Sequence, residues 1–213
     1  MRKPSLITGG VAALSAVAAL GLGVAAQGAP QAPDSRADSD VSGRLLPLNS
    51  SGASGKASVS FTSRRAGVVH VKADGLAPNL PHAQHIHFGR TARNECPTAF
   101  DAGHDHQLTT TDGADAYGPV RTSLTTSGDT SPDSVLAVDR YPVAPEGRVR
   151  YERKITFSSK ALATAIRNGK GVVVIHGVDY NGNGAYDFSS GKSDLDKSLP
   201  AEATDPAVCG VLR

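Results

Sequence analysis

The stretch Pro81-His82-Ala83-Gln84-His85-Ile86-His87-Phe88-Gly89 decides how this chain is read. It holds three of the chain's seven histidines. His85 and His87 alternate as same-face neighbours on a strand do, about 7 Å apart along it. A pair so placed holds a metal only when a third donor arrives from elsewhere in the fold. His176 closes the apolar run Gly171-Val172-Val173-Val174-Ile175 and is the candidate. The pattern is that of a β-sheet metal site; the plainer alternative is a set of solvated or core-satisfied histidines.

Period-2 segments recur on both sides of this stretch. Residues 56–62 and 67–73 read as a hairpin pair across a polar turn at 63–66, and 83–88 as the next strand. Further strand candidates are 120–125, 134–138, 147–155, 171–178 and a short one at 208–212. Short strands punctuated by Gly, Pro, Asn and Asp predict an all-β antiparallel Greek-key barrel or sandwich. One segment, 160–168, has helical spacing: Ser158 or Ser159 caps it, Leu162, Ala165 and Ile166 form an apolar face, and Gly169 stops it. Two long irregular stretches, 89–118 and 179–207, each follow a histidine strand, and loops of that length are usually functional or tied down.

The N-terminus reads as a targeting segment. Arg2 and Lys3 precede an apolar, Ala/Gly-rich run at 6–25, with a small-residue cleavage site at Val24-Ala25-Ala26. The expectation is a signal peptide over 1–26, with a retained anchor as the alternative. A Pro/Ser/Asp-rich tether follows over 27–43, then one domain over 44–213. The expected localisation is therefore extracellular, secreted or at the cell surface. The whole chain has 22 Lys and Arg against 20 Asp and Glu; without Arg2 and Lys3 the two are equal. That balance offers no case for nucleic acid or an anionic membrane as partner. Cys96 and Cys209, an even count in an exported chain, read as one disulfide closing a loop of about 110 residues. Two buried free thiols are the alternative.

Taken together these pieces resemble the copper/zinc superoxide dismutase family. The resemblance runs from Gly75-Leu76 through His82-Ala83-Gln84-His85-Ile86-His87-Phe88-Gly89 and Val172-Val173-Val174-Ile175-His176 to Cys209-Gly210-Val211-Leu212. It covers about residues 56–212; a looser likeness to CHRD-type domains rests on the His-x-His strand. The resemblance implies copper ligands at His85, His87 and His176 and a loop-tying role for His82; His104 or His106 is a candidate fourth ligand, since metal coordination tolerates loop donors. It implies one-electron reduction and reoxidation of copper by superoxide as the reaction. His70, in mid-strand, reads as a surface residue.

The departures bear on function. Only His104 and His106 follow Cys96 before His176, so the family's zinc site is expected to be absent or degraded. A full zinc site would need further ligands, such as Asp101, Asp105, Asp112, Asp115 or Asp139. Where the family carries an anion-guiding arginine this chain has Pro206, leaving Arg90 or Arg213 as substitutes. Asp179-Tyr180-Asn181-Gly182-Asn183-Gly184-Ala185-Tyr186-Asp187 places oxygens at loop positions that suit calcium, namely Asp179, Asn181, Asn183 and Asp187, although Ser190 stands where a bidentate Glu is usual. A plain Asn/Gly turn is the alternative, and Asp179 could instead orient copper ligands as an acidic residue does in the family. Asp101-Ala102-Gly103-His104-Asp105-His106-Gln107 fits calcium less well. No Gly-x-Ser-x-Gly or phosphate loop supports a hydrolase or nucleotide-binding reading. The two functional expectations are a copper-dependent superoxide dismutase and a non-catalytic extracellular module holding copper or calcium. A purely structural domain is third, and oligomeric state stays open.

Overall fold

The computed structural model describes residues 40–104 and 106–213. The proposed signal peptide, most of the tether and Asp105 lie outside the described residues. Eight strands form one antiparallel sheet: β1 (Val41–Pro47), β2 (Ser54–Phe61), β3 (Ala66–Asp74), β4 (Gln84–His87), β5 (Val120–Ser123), β6 (Val149–Thr156), β7 (Val172–His176) and β8 (Pro206–Val211). Their order across the sheet is β5-β4-β7-β8-β1-β2-β3-β6. The sheet curls so that its two edges approach. Tyr151 Oη on β6 donates to Thr125 O just beyond β5 at 3.2 Å, and Arg153 donates to the same carbonyl at 2.7 Å. The result is the all-β barrel architecture that the alternating segments predict.

Alternation explains which face is inside. Ala57, Val59 and Phe61 of β2, Val69, Val71 and Ala73 of β3, and Val149, Tyr151 and Ile155 of β6 fill the barrel core. Their neighbours Lys56, Lys72 and Arg150 face water. β4 and β7 differ, being buried on both faces. Ile86, Val173 and Ile175 join the main core, whereas Val172 and Val174 belong to a second apolar cluster with Tyr117 and Cys209 on the other side. That second side, where His85 and His87 project, is covered by the two long loops. The Cys96–Cys209 disulfide, with Cα atoms 5.6 Å apart, pins the first of them to β8.

Two expectations need correction. Residues 134–138 are not a strand. Short helical turns at Pro132–Ser134 and Val138–Arg140 replace it. Pro132 sits in the first turn, Ser131 caps it, and Asp129 Oδ2 accepts from both the Ser131 and Ser134 hydroxyls. Such local polar bonding outcompetes a ladder. Strand β1 is the second difference: it begins at Val41, inside the stretch read as tether, and joins β2 to β8. Gly43 and Gly210 permit that junction, since a Cβ at either would lie 2.2–2.3 Å from the facing carbonyl oxygen. The helix expected at 160–168 forms as α1 (Lys160–Ala165), capped by Ser159 Oγ, and loosens into a wider turn over Ile166–Lys170.

Candidate metal centre

Strand pairing assembles the three histidines. His85 pairs with Val174 and His87 with Val172, which puts both imidazoles beside the β7 face that carries His176. The His176 N–H donates to Ala83 O at 2.8 Å, extending the β4–β7 ladder, while a register shift against β8 falls between Ile175 and His176. Bulges of this kind re-aim a side chain. Ring centroids of His85 and His176 are 5.2 Å apart, and those of His85 and His87 5.7 Å.

One nitrogen of each ring is fixed from behind. His85 Nε2 lies 2.8 Å from Tyr141 Oη, which itself donates to Ser134 O at 2.8 Å, so the ring N–H must be the donor to the phenol oxygen. His87 Nδ1 donates to Gly118 O at 2.8 Å, and His176 Nδ1 to Thr204 O at 2.6 Å. These bonds assign each tautomer and leave a lone pair on His85 Nδ1, His87 Nε2 and His176 Nε2. Those three atoms are buried without a hydrogen-bond partner. The candidate ligand atoms of the three residues lie within 4.8 Å of one another. Buried polar atoms are rarely left unpaired, and three converging orphans in a ring-nitrogen set are what a metal ion satisfies. Rear hydrogen bonds that orient ligating imidazoles are the usual companion of such sites.

Burial keeps the rings neutral. It lowers His87 to about 3 and His176 to about 4, and holds His85 well below the usual histidine range, with the two neighbouring imidazoles adding to the effect there. Neutral rings present lone pairs, which metal binding requires.

His82 sits behind the centre. Its Nδ1 lies 2.8 Å from His176 O and its Nε2 3.0 Å from Ala77 O, with the Tyr186 ring edge-on. Gly177 makes room for this contact: a Cβ there would meet Tyr186 Oη at 2.1 Å, and its φ of +107° suits glycine. His70 is half-exposed beside Glu152.

The remaining sequence candidates fall elsewhere. His104 and His106 are exposed and lie outside the cluster. Among the described residues, no other group of three or more His, Cys, Asp or Glu residues is placed to hold a metal. Asp101 is engaged by Arg93 and Thr98, and Asp112 by Thr109. In the 179–187 loop the oxygens are turned inward. Asp179 accepts from the backbone N–H groups of Gly182, Asn183 and Gly184, and the side-chain amides of Asn181 and Asn183 donate to Asp187. The buried Glu202 carboxylate ties this loop down by accepting from the Tyr180 and Asp187 N–H groups and the Ser189 hydroxyl.

A small pocket of about 50 Å³ opens onto the three histidines. Pro81, Val120, Leu136, Val138, Leu195 and Leu199 contribute to its walls, and among the described residues no Lys or Arg lines it. Arg90 and Arg213 instead line a separate surface groove. Val135, Leu136 and Val138, from the segment expected to be a strand, thus contribute to one wall of the pocket. Tyr141 and the carbonyls of Gly118 and Thr204 carried no signal in the sequence.

No protein-family model matches this chain, and no curated protein matches it significantly. Its class rests on fold and site: an antiparallel β-barrel with a buried three-histidine cluster able to hold a metal ion.

Proposed function

We propose that this chain is an exported copper protein similar to the copper/zinc superoxide dismutases, holding copper at His85, His87 and His176. The observation that carries this reading is the convergence of three orphaned ring nitrogens, each on a tautomer fixed from behind. An all-imidazole set with room for a further ligand suits copper, which binds such donors more tightly than the other divalent first-row metals do. Bound copper would supply one-electron chemistry, with superoxide as the substrate the resemblance implies. The protein's own part is to hold neutral imidazoles rigidly and to keep bulk water from the pocket.

A second reading has a specific observation in its favour. A fixed cation beside the metal helps capture a small anion, and among the described residues none lines this pocket. That favours a metal-binding module with slow turnover over a fast dismutase. The 179–187 loop, with its oxygens engaged by its own backbone and amides, serves as a structural turn rather than a calcium site.

The test is metal analysis of the exported protein purified without chelator, followed by a dismutation assay. One copper per chain with turnover abolished by His176→Ala supports the enzyme. Copper retention without turnover above free copper selects the module, and failure to take up copper at all would overturn both.

A further inference from the structure

Four basic side chains stand in one line across the outer face of β1, β2, β3 and β6. The register aligns Arg44 with Lys56, Lys56 with Lys72, and Lys72 with Arg150. All four are exposed. Adjacent strands lie about 4.8 Å apart, so the row spans about 15 Å. Like charges directly opposite one another destabilise a sheet, and the neighbouring row avoids the conflict by running Ser42, Ser58, His70, Glu152. Arg150 pairs with Asp74 at 2.7 Å, but among the described residues Arg44, Lys56 and Lys72 have no ion-pair partner. Between the two lysines the surface dips into a basin of about 260 Å³ lined by Lys56, Ser58, His70 and Lys72. It brings together two cations, a hydroxyl and an imidazole.

We propose that this row binds a linear phosphate-bearing polyanion laid across the strands. The chemistry argues for that occupant. Several cations in line match a repeating negative charge better than a single small anion. The face carries no Phe, Tyr or Trp among Ser42, Arg44, Ser58, Lys56, Lys72 and Arg150 or their outward neighbours on β2, β3 and β6. It therefore lacks the aromatic platforms on which single-stranded bases stack, leaving contact to backbone charge alone. A second copy of the same face would set like charges against each other. The chain's balanced overall charge hides the row, which exists only once the strands are in register.

The probe is long-chain inorganic polyphosphate titrated into the purified protein at 50 and 200 mM salt. Phosphate contacts from the three unpaired cations should weaken binding about 18-fold across that range through counterion release. The double variant Lys56→Gln with Lys72→Gln should bind more weakly at 50 mM, and its salt dependence should shrink to about threefold. Arg90→Gln with Lys170→Gln, in the separate basic groove, should leave binding unchanged. Equal losses from both double variants, or a loss from the second alone, would overturn the assignment. Binding to anionic phospholipid vesicles with none to polyphosphate would overturn it too, giving the face to a membrane. Copper content, measured on the same samples, is independent of every outcome.

Discussion

Tyr141 Oη lies 2.8 Å from His85 Nε2 and donates its own hydrogen bond to Ser134 O, so a phenol buried on a loop dictates which nitrogen of a strand histidine faces the three-histidine cluster. Burial pushes the Tyr141 phenol up to about 12, which keeps it protonated and the relay intact. Tyr141→Phe removes the acceptor and leaves the His85 N–H without a partner, at a cost of about 1–3 kcal/mol. Copper affinity should fall about 10- to 100-fold, the usual effect of losing such an orienting bond. Competition titration against a copper chelator measures it. An unchanged affinity would show that packing alone orients His85.

The pH dependence of the metal-free protein follows from the buried rings. His82, His85, His87 and His176 all titrate below their unfolded value near 6.5, burial being the main cause. Below pH 6.5 the unfolded chain takes up protons that the folded chain refuses, so stability is full above that pH and declines as pH falls toward the folded values. Asp205 works in the opposite sense: burial raises it to about 6, so it favours the folded state as pH drops from 6 toward 4. One carboxyl cannot offset four imidazoles. The net loss should reach several kcal/mol between pH 6.5 and 4.5, at about 1.4 kcal/mol per pH unit for each net proton. Urea midpoints measured across that range should move steadily downward; a flat profile would mean the rings are not buried as neutral groups.

The legible parts of this fold are those with a side-chain period. Lys56, Ser58 and Ser60 alternate with Ala57, Val59 and Phe61, and the same alternation placed His85 and His87 on one face. β1 escaped because Val41-Ser42-Gly43 shares its composition with the preceding tether, and its strand identity comes from close approach to β8. The 134–138 segment differs for the converse reason: Val135, Leu136 and Val138 line a pocket wall and pair with no strand. At the centre, the ligand candidates carry imidazoles and could be found. Their supports are mostly the carbonyls of Gly118, Thr204 and Ser134, which every residue possesses and only the loop trace positions.

The disulfide gives the most direct stability prediction. Cys96 and Cys209 are 113 residues apart, and chain entropy values closing such a loop at about 4–5 kcal/mol. Cys96→Ser with Cys209→Ser should lower the unfolding free energy by about that amount. The loss should also reach the metal centre, because the bond holds down the loop whose Gly118 carbonyl fixes His87. Copper affinity should therefore fall along with the melting temperature. A drop in melting temperature with affinity preserved would show that the 89–118 loop is seated by its other contacts.

Anion access to the centre is the sharpest discriminator between enzyme and module, and the pocket mouth offers a way to change it. Leu136 and Leu195 line the pocket and are 40% and 44% exposed, so a lysine at either position can keep its ammonium in water while facing the histidines. A cation about 6 Å from the open position attracts an anion by about 1 kcal/mol at an effective dielectric near 50. In the copper-loaded protein, Leu136→Lys or Leu195→Lys should tighten azide binding about fivefold, read from the ligand-to-metal absorption band. The gain should shrink at high salt, since the added charge is exposed. If superoxide turnover rises in parallel, the missing cation is what limits the wild-type protein as a dismutase. If azide binds the wild type and both variants equally, charge at the mouth does not govern access and the apolar walls do.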